Sequence, residues 1–187
     1  MSGDGKTMQV RIGGEAGQGV ILAGVILAQA AMNDRRQVAQ SARYGAAVRG
    51  GDATVDVVIS DEPIDYPHVE AADFLVVLSQ PTYEALVPKR GKGALVCYDP
   101  FFVKPQEGFA ERQIPIAATE TAIKKFGKAT AANLVVLGFL VGASGAVSWA
   151  SLVAAVEAEA PPKFRKANLE ALAIGRELAA AAGLEAR

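Results

Sequence analysis

Apolar positions fall along this chain in two rhythms. Through the first two thirds they come as short runs separated by glycine and polar turns, and in the last third they recur at helical spacing. Residues 8–12 alternate around Val10 and predict a first strand. Gly13 to Gly19 read as a glycine-rich turn. Residues 20–32 then carry no charge and are rich in Ala, Leu, Ile and Val, which predicts a helix apolar on nearly all sides and therefore buried. Strand, glycine turn and buried helix form the first unit of a Rossmann-like α/β fold.

Further strands are predicted at 38–40, 54–60, 74–79 and 94–98, with a short edge strand at 114–117. The runs at 74–79 and 94–98 are almost continuously apolar, as strands covered on both faces are. Residues 41–52 read as a loop, and 61–67, with two prolines, as a turn. From about residue 119 the pattern is helical: 119–126 with Thr119 as its cap, 130–141, and 148–159 capped by Ser148. Pro161 and Pro162 stop the chain there. A long amphipathic helix over 163–182 follows, with Leu169, Leu172 and Leu178 inward, Lys166, Glu170, Arg176 and Glu177 outward, and Gly183 as its C-cap. No internal repeat or long linker divides the chain. The expectation is one domain over residues 1–187: α/β, Rossmann-like, with a mostly parallel sheet flanked by helices and a helical C-terminal part.

Composition narrows the function more than the fold. Hydrophobic residues at 51% and charged residues at 21% describe a globular chain. A net charge of -1 gives no overall basic field for nucleic acid or an anionic membrane. The stretch 133–156 has a single charge-free run long enough to span a bilayer, but Gly138, Gly142, Gly145 and three serines interrupt it, so it reads as two buried helices and a turn. Cys97 is the only cysteine and His68 the only histidine, so the chain builds no internal disulfide, no four-cysteine iron–sulfur site and no multi-histidine metal site. A polar start without an apolar core argues against a signal peptide, and the expected location is the cytoplasm.

Two constellations could carry chemistry. The first is Gly13-Gly14-Glu15-Ala16-Gly17-Gln18-Gly19. Glycines let backbone N–H groups approach a ligand, and the following helix N-terminus favours an anion. No Lys-Ser or Lys-Thr pair follows, and Leu22 stands where the third glycine of a dinucleotide fingerprint belongs. Spacing alone therefore favours a tight strand-to-helix turn over nucleotide binding. The second is the segment from Arg43 and Tyr44 through Gly45 and Arg49 to Gly50 and Gly51, where two arginines among glycines could clamp a phosphate or carboxylate, or could simply be a solvated turn. His68 reads as a surface or capping residue before a helix, Cys97 and Trp149 as core or interface, and Asp61 and Asp65 as turn residues. Gly3-Asp4-Gly5 has the start of a thiamine diphosphate motif but lacks its asparagine pair and precedes the first strand, which excludes it. On these readings alone no catalytic acid, base, nucleophile or redox centre is visible.

The order of the motifs adds a resemblance. From about Gln9 to Gly175 the chain resembles the gamma subunit of the 2-oxoacid:acceptor oxidoreductases of the pyruvate, 2-oxoglutarate and ketoisovalerate type. The residues that carry it are Gly17-Gln18-Gly19-Val20; Tyr44-Gly45 with Arg49-Gly50-Gly51; Ile59 through Ile64; Ala72-Asp73; Gln80-Pro81; Ala118-Thr119-Glu120; and Ala132-Asn133 through Gly138. Ala16, Ala46, Ala47 and Asp52 depart from the usual pattern. The resemblance implies a subunit of an enzyme that oxidatively decarboxylates a 2-oxoacid, forms acyl-coenzyme A and reduces ferredoxin. It implies alpha, beta and ferredoxin-like delta partners, which carry thiamine diphosphate, magnesium and iron–sulfur clusters. It implies no catalytic residue here, an isolated chain without activity, and a coenzyme A contact through Gly14, Gly17, Gln18, Gly19, Tyr44, Arg49, Gly50 and Gly51. Competing readings are the indolepyruvate oxidoreductase small subunit, which tends to have His-Gly where Tyr44-Gly45 stands, a free-standing nucleotide-binding regulator, and a ligand-free assembly subunit. The oxoacid is not legible, with 2-oxoglutarate favoured.

Overall fold

The computed structural model describes residues 7–45, 51–106 and 113–184. Strands β1 (Met8–Glu15), β2 (Gln37–Tyr44), β3 (Asp52–Ser60), β4 (Phe74–Val77), β5 (Leu95–Tyr98) and β6 (Gln113–Pro115) form one sheet in the order β2-β3-β1-β4-β5-β6. The helices are α1 (Val20–Asn33), α2 (Gln80–Leu86), α3 (Ala118–Phe126), α4 (Ala132–Ser144), α5 (Trp149–Glu159) and α6 (Arg165–Ala181). β3 runs against both its neighbours, and the ladders β1-β4, β4-β5 and β5-β6 are parallel. The sheet is therefore mixed, with β3 as the one reversed strand among those described. Its reversal follows from the short connection after β2, which permits only an antiparallel neighbour.

Alternation along the strands assigns the two faces. Val10 and Ile12 of β1, Val55 and Val57 of β3, and Val76 of β4 pack with α1 and the four C-terminal helices in the larger core. Val58, Leu75, Val77 and Val96 point the other way, against Tyr83 of α2 and Val87. α1 and α2 thus cover opposite faces, although β1 and β4, the strands that feed them, are parallel neighbours.

Several expectations need correction. Gly13, Gly14 and Glu15 are not turn but strand, paired with Thr54, Ala53 and Asp52. Their glycines serve close packing: a Cβ at Gly13 would stand 2.6 Å from Leu86 Cδ1, and one at Gly14 2.6 Å from Gln18 Oε1. Residues 41–44, read as loop, complete β2, which pairs along its whole length with β3. α2 has no counterpart in the sequence reading, although Ser79, whose side chain accepts from Thr82 N–H, and Pro81 in the first turn are its start signal. Thr119 lies inside α3 and does not cap it. His68 is exposed in an irregular segment, edge-on to Tyr66, with no helix following it.

The apolar stretch 133–156 divides, as expected, into α4 and α5, with Ser148 capping α5 through Ser151 N–H at 3.2 Å. No described helix is long and apolar enough to cross a membrane. Asp34, just past α1, accepts from Ser148 N–H and Oγ and from Ser151 Oγ, so one carboxylate fastens α1 to the start of α5. Partial burial pushes its carboxyl up, but the hydrogen bonds from Ser151 and Ser148 and the charge of Arg36 outweigh it and hold the group below its ordinary value.

Two helix ends show how local chemistry and context trade. α6 closes with Leu184 N–H on Ala179 C=O and Gly183 N–H on Ala180 C=O, with Gly183 at φ 69°, a Schellman motif on a glycine. α1 closes the same way, Arg36 N–H on Ala31 C=O and Arg35 N–H on Met32 C=O, but the left-handed residue is Arg35 at φ 61°. Arg35→Gly removes a left-handed penalty of about 1–2 kcal/mol and adds chain entropy to the unfolded state of about 0.4–1 kcal/mol. We expect a net gain of about 0.5–1 kcal/mol in urea unfolding; an unchanged or lower midpoint would contradict it.

Candidate functional site

A crevice opens where the chain leaves β1 and β4 in opposite directions. This is the topological switch point of an α/β sheet, where ligands bind at the carboxyl ends of the strands. The cavity there, about 130 Å³, is lined by Gly17, Gln18, Leu78, Asp99, Phe102, Thr119, Ala129, Thr130, Ala132 and Val136. Self-sufficient small-molecule pockets enclose roughly 300–1,000 Å³. This one is smaller than that range.

The glycine loop builds one wall. Gly17 at φ 99° and Gly19 at φ 73° occupy conformations that L side chains rarely adopt. Gly19 ends the loop as the N-cap of α1, a 14-residue helix whose first turn has no side-chain cap. Asn133 of α4 packs directly on Gly19, where a Cβ would stand 2.5 Å from Asn133 Nδ2. Gln18 is committed internally: its Oε1 accepts from Glu15 N–H at 2.7 Å and its Nε2 donates to Leu78 C=O at 2.8 Å, bridging the ends of β1 and β4.

The opposite wall comes from the loop after β5. Asp99 is 1% exposed, and its two oxygens accept from Phe101 N–H at 3.0 Å and Thr119 N–H at 2.9 Å. The first turn of α3 is thus capped by a carboxylate from another element, which is why Thr119 need not cap it. α4 also begins at the crevice, its first turn satisfied by Ala132 N–H on Ala129 C=O and by Leu134 N–H on Asn133 Oδ1 at 3.0 Å.

Of the residues singled out from sequence, Gly14, Gly17, Gln18 and Gly19 come together here. Gly51 joins them, since its C=O accepts from Ala16 N–H at 2.9 Å. Tyr44 stands on the same sheet edge, two strands from Gly14 and 71% exposed. Arg49 and Gly50 lie outside the described residues, as does Gly3-Asp4-Gly5. Arg43 is not a loop cation. It belongs to β2 and donates to Asp56 at 3.1 Å, sharing that carboxylate with the buried Arg11. Burial pushes the Cys97 thiol up and away from nucleophile chemistry. Sequence reasoning missed Leu78, Asp99, Phe102 and Thr130. The available signal was positional, since Leu78 and Asp99 close or follow the two apolar runs and so had to reach the carboxyl edge.

The arrangement suits a ligand with an anionic part and an apolar, flat part. The left-handed glycine loop at Gly17 and Gly19 serves the first, and Leu78, Phe102, Ala129 and Val136 the second. No Lys or Arg lines the crevice among the described residues, and its one charged side chain has both oxygens engaged.

Comparison with known proteins bears on the family. The family described as pyruvate ferredoxin/flavodoxin oxidoreductase matches residues 9–178. The 2-oxoglutarate synthase subunit KorC of Methanothermobacter marburgensis is 38% identical over 177 residues, covering 91% of this chain and 95% of that one. The keto/oxoacid ferredoxin oxidoreductase gamma subunit of Geobacter sulfurreducens superposes with a TM-score of 0.84 at 31% identity, covering 97% of this chain and 99% of that one. The 2-oxoglutarate:ferredoxin oxidoreductase of Magnetococcus marinus, solved with 2-oxoglutarate, coenzyme A and succinyl-CoA bound, has a TM-score of 0.85 at 26% identity; the match covers 94% of this chain and 31% of that one.

Proposed function

Since this chain belongs to the pyruvate ferredoxin/flavodoxin oxidoreductase family, we propose that its glycine loop and crevice help to receive coenzyme A within a larger assembly. The chain is the gamma subunit of a 2-oxoacid:ferredoxin oxidoreductase. In our reading it joins alpha, beta and ferredoxin-like delta subunits in the cytoplasm. Those partners carry thiamine diphosphate, magnesium and the iron–sulfur clusters, and the complex passes electrons to ferredoxin. The similarity to 2-oxoglutarate enzymes favours 2-oxoglutarate as the oxoacid.

One observation carries the coenzyme A reading: a small crevice at the switch point, with the left-handed glycine loop on one side and apolar surface on the other. Coenzyme A has both chemistries, phosphates and an adenine ring. Within the complex this chain binds and orients. The left-handed glycines bring backbone N–H groups to the phosphates, and in this reading the guanidinium of Arg49, two positions before Gly51 in the chain, is a further coenzyme A contact.

The test is made on the complex co-expressed with its partner subunits. Gly17→Val, which strains the loop without filling a packed space, and Arg49→Ala should each raise KM for coenzyme A about tenfold, the worth of one charge-assisted hydrogen bond. KM for the oxoacid should not move. Wild-type coenzyme A dependence in both variants would remove the assignment.

A further inference from the structure

We infer that Phe102 is the surface on which the nucleobase of coenzyme A stacks, with Asp99 as the positioning residue that presents it. This rests on the coenzyme A reading above and adds to it the orientation of the ligand. Phe102 lines the crevice and is 43% exposed, so a ligand there can reach its ring.

Its backbone is fixed. Asp99 C=O accepts from Phe102 N–H at 3.1 Å and Val103 N–H at 3.0 Å, while the Asp99 carboxylate ties Phe101 and Thr119. Val103 is anchored in the second core cluster. Phe101 meets the Phe102 ring edge-on, with centroids 4.9 Å apart and planes at 66°. An aromatic ring held this way loses little freedom when a base stacks on it. Gly17 and Gln18 of the glycine loop line the same crevice as Phe102, so phosphate at the loop puts the adenine within reach of the ring. The Asp99 carboxylate has both oxygens engaged by backbone N–H groups, so it serves position and not ligand contact.

The test is equilibrium binding by calorimetry on the purified complex without oxoacid, using coenzyme A and ADP as probes. Phe102→Ala should weaken both by the same factor, about tenfold, as loss of one base stack does. Phe102→Tyr should restore both, and Phe101→Ala, which removes only the edge contact that steadies the ring, should weaken both by less than Phe102→Ala does. Asp99→Asn should also weaken both, but add nothing when combined with Phe102→Ala; a merely structural role would instead add its own loss. Unchanged binding in Phe102→Ala overturns the inference. So does weakened coenzyme A with unchanged ADP, which would put the ring on the thiol-bearing arm, and so does wild-type complex that does not bind ADP. If Gly17→Val weakens coenzyme A while Phe102→Ala does not, only this inference falls. If neither does, the coenzyme A reading falls with it.

Discussion

Gly138→Ala is expected to lower the stability of this chain by about 3 kcal/mol or more, and its melting temperature by about 6–12 °C. Helix propensity argues for the opposite sign, since alanine is favoured over glycine by about 1 kcal/mol inside a helix. The crossing of α4 and α6 decides against propensity. A Cβ at Gly138 would collide with the backbone C=O of Leu172, and one at Gly175 with the backbone C=O of Val135, while also standing 2.7 Å from Phe139 N. The two glycines are reciprocal: each helix admits the other's backbone. Backbone cannot rotate aside as a side chain can, so the helices must separate, exposing neighbours such as Leu137, Phe139 and Leu172 that are now fully buried. Gly142→Ala is the control on the same helix. Its nearest contacts are at 3.3 Å, one of them the Arg176 side chain, and we expect a change below about 1 kcal/mol. Thermal unfolding of the three chains checks this, and a Gly138→Ala melt at or above wild type would show that the close crossing does not exist.

Asp56→Ala should cost about 3–5 kcal/mol, the penalty of leaving a buried cation unpaired. Asp56 is 2% exposed and takes both donors of Arg11, Nε at 2.6 Å and Nη2 at 2.8 Å, while the same Nη2 also donates to Val69 C=O. Without the carboxylate, Arg11 retains one carbonyl partner in a site that excludes water. The pair itself need not stabilise the fold. Its attraction offsets a desolvation cost of similar size, so Arg11→Met with Asp56→Leu should return to within about 1–2 kcal/mol of wild type. Arg43 is the contrast. Its side chain is 59% exposed and contacts the same carboxylate at 3.1 Å, so Arg43→Ala should cost at most about 1 kcal/mol. Urea unfolding of the three variants reads the order. Equal losses for Asp56→Ala and Arg43→Ala would mean that burial is not what sets the energy.

Arg43 also marks a limit of sequence reading. Among glycines it looks like a ligand clamp. In the fold its neighbour is Asp56, 13 positions along the chain, reached only because β2 pairs with β3. The missed strand segments have the same origin. Gly13, Gly14 and residues 41–44 have weak strand propensity, and pairing with β3 overrides it.

The amino-acid sequence by itself determined the α/β class, the buried helix after the first strand, the two apolar strands, the division of 133–156 into two helices, the Ser148 cap, the Gly183 terminus and the family. Each of these rests on spacing within a few residues, where side-chain periodicity and backbone hydrogen bonding act locally, or on short motifs in fixed order. The tertiary structure alone decided that β3 is reversed, that Gln18 is a bridge between strand ends, that Asp99 caps α3, and that Gly17, Phe102 and Thr130 share one crevice. Those relations join residues far apart in the chain. They are set by strand order, register and the faces to which successive helices turn, and no local pattern encodes them.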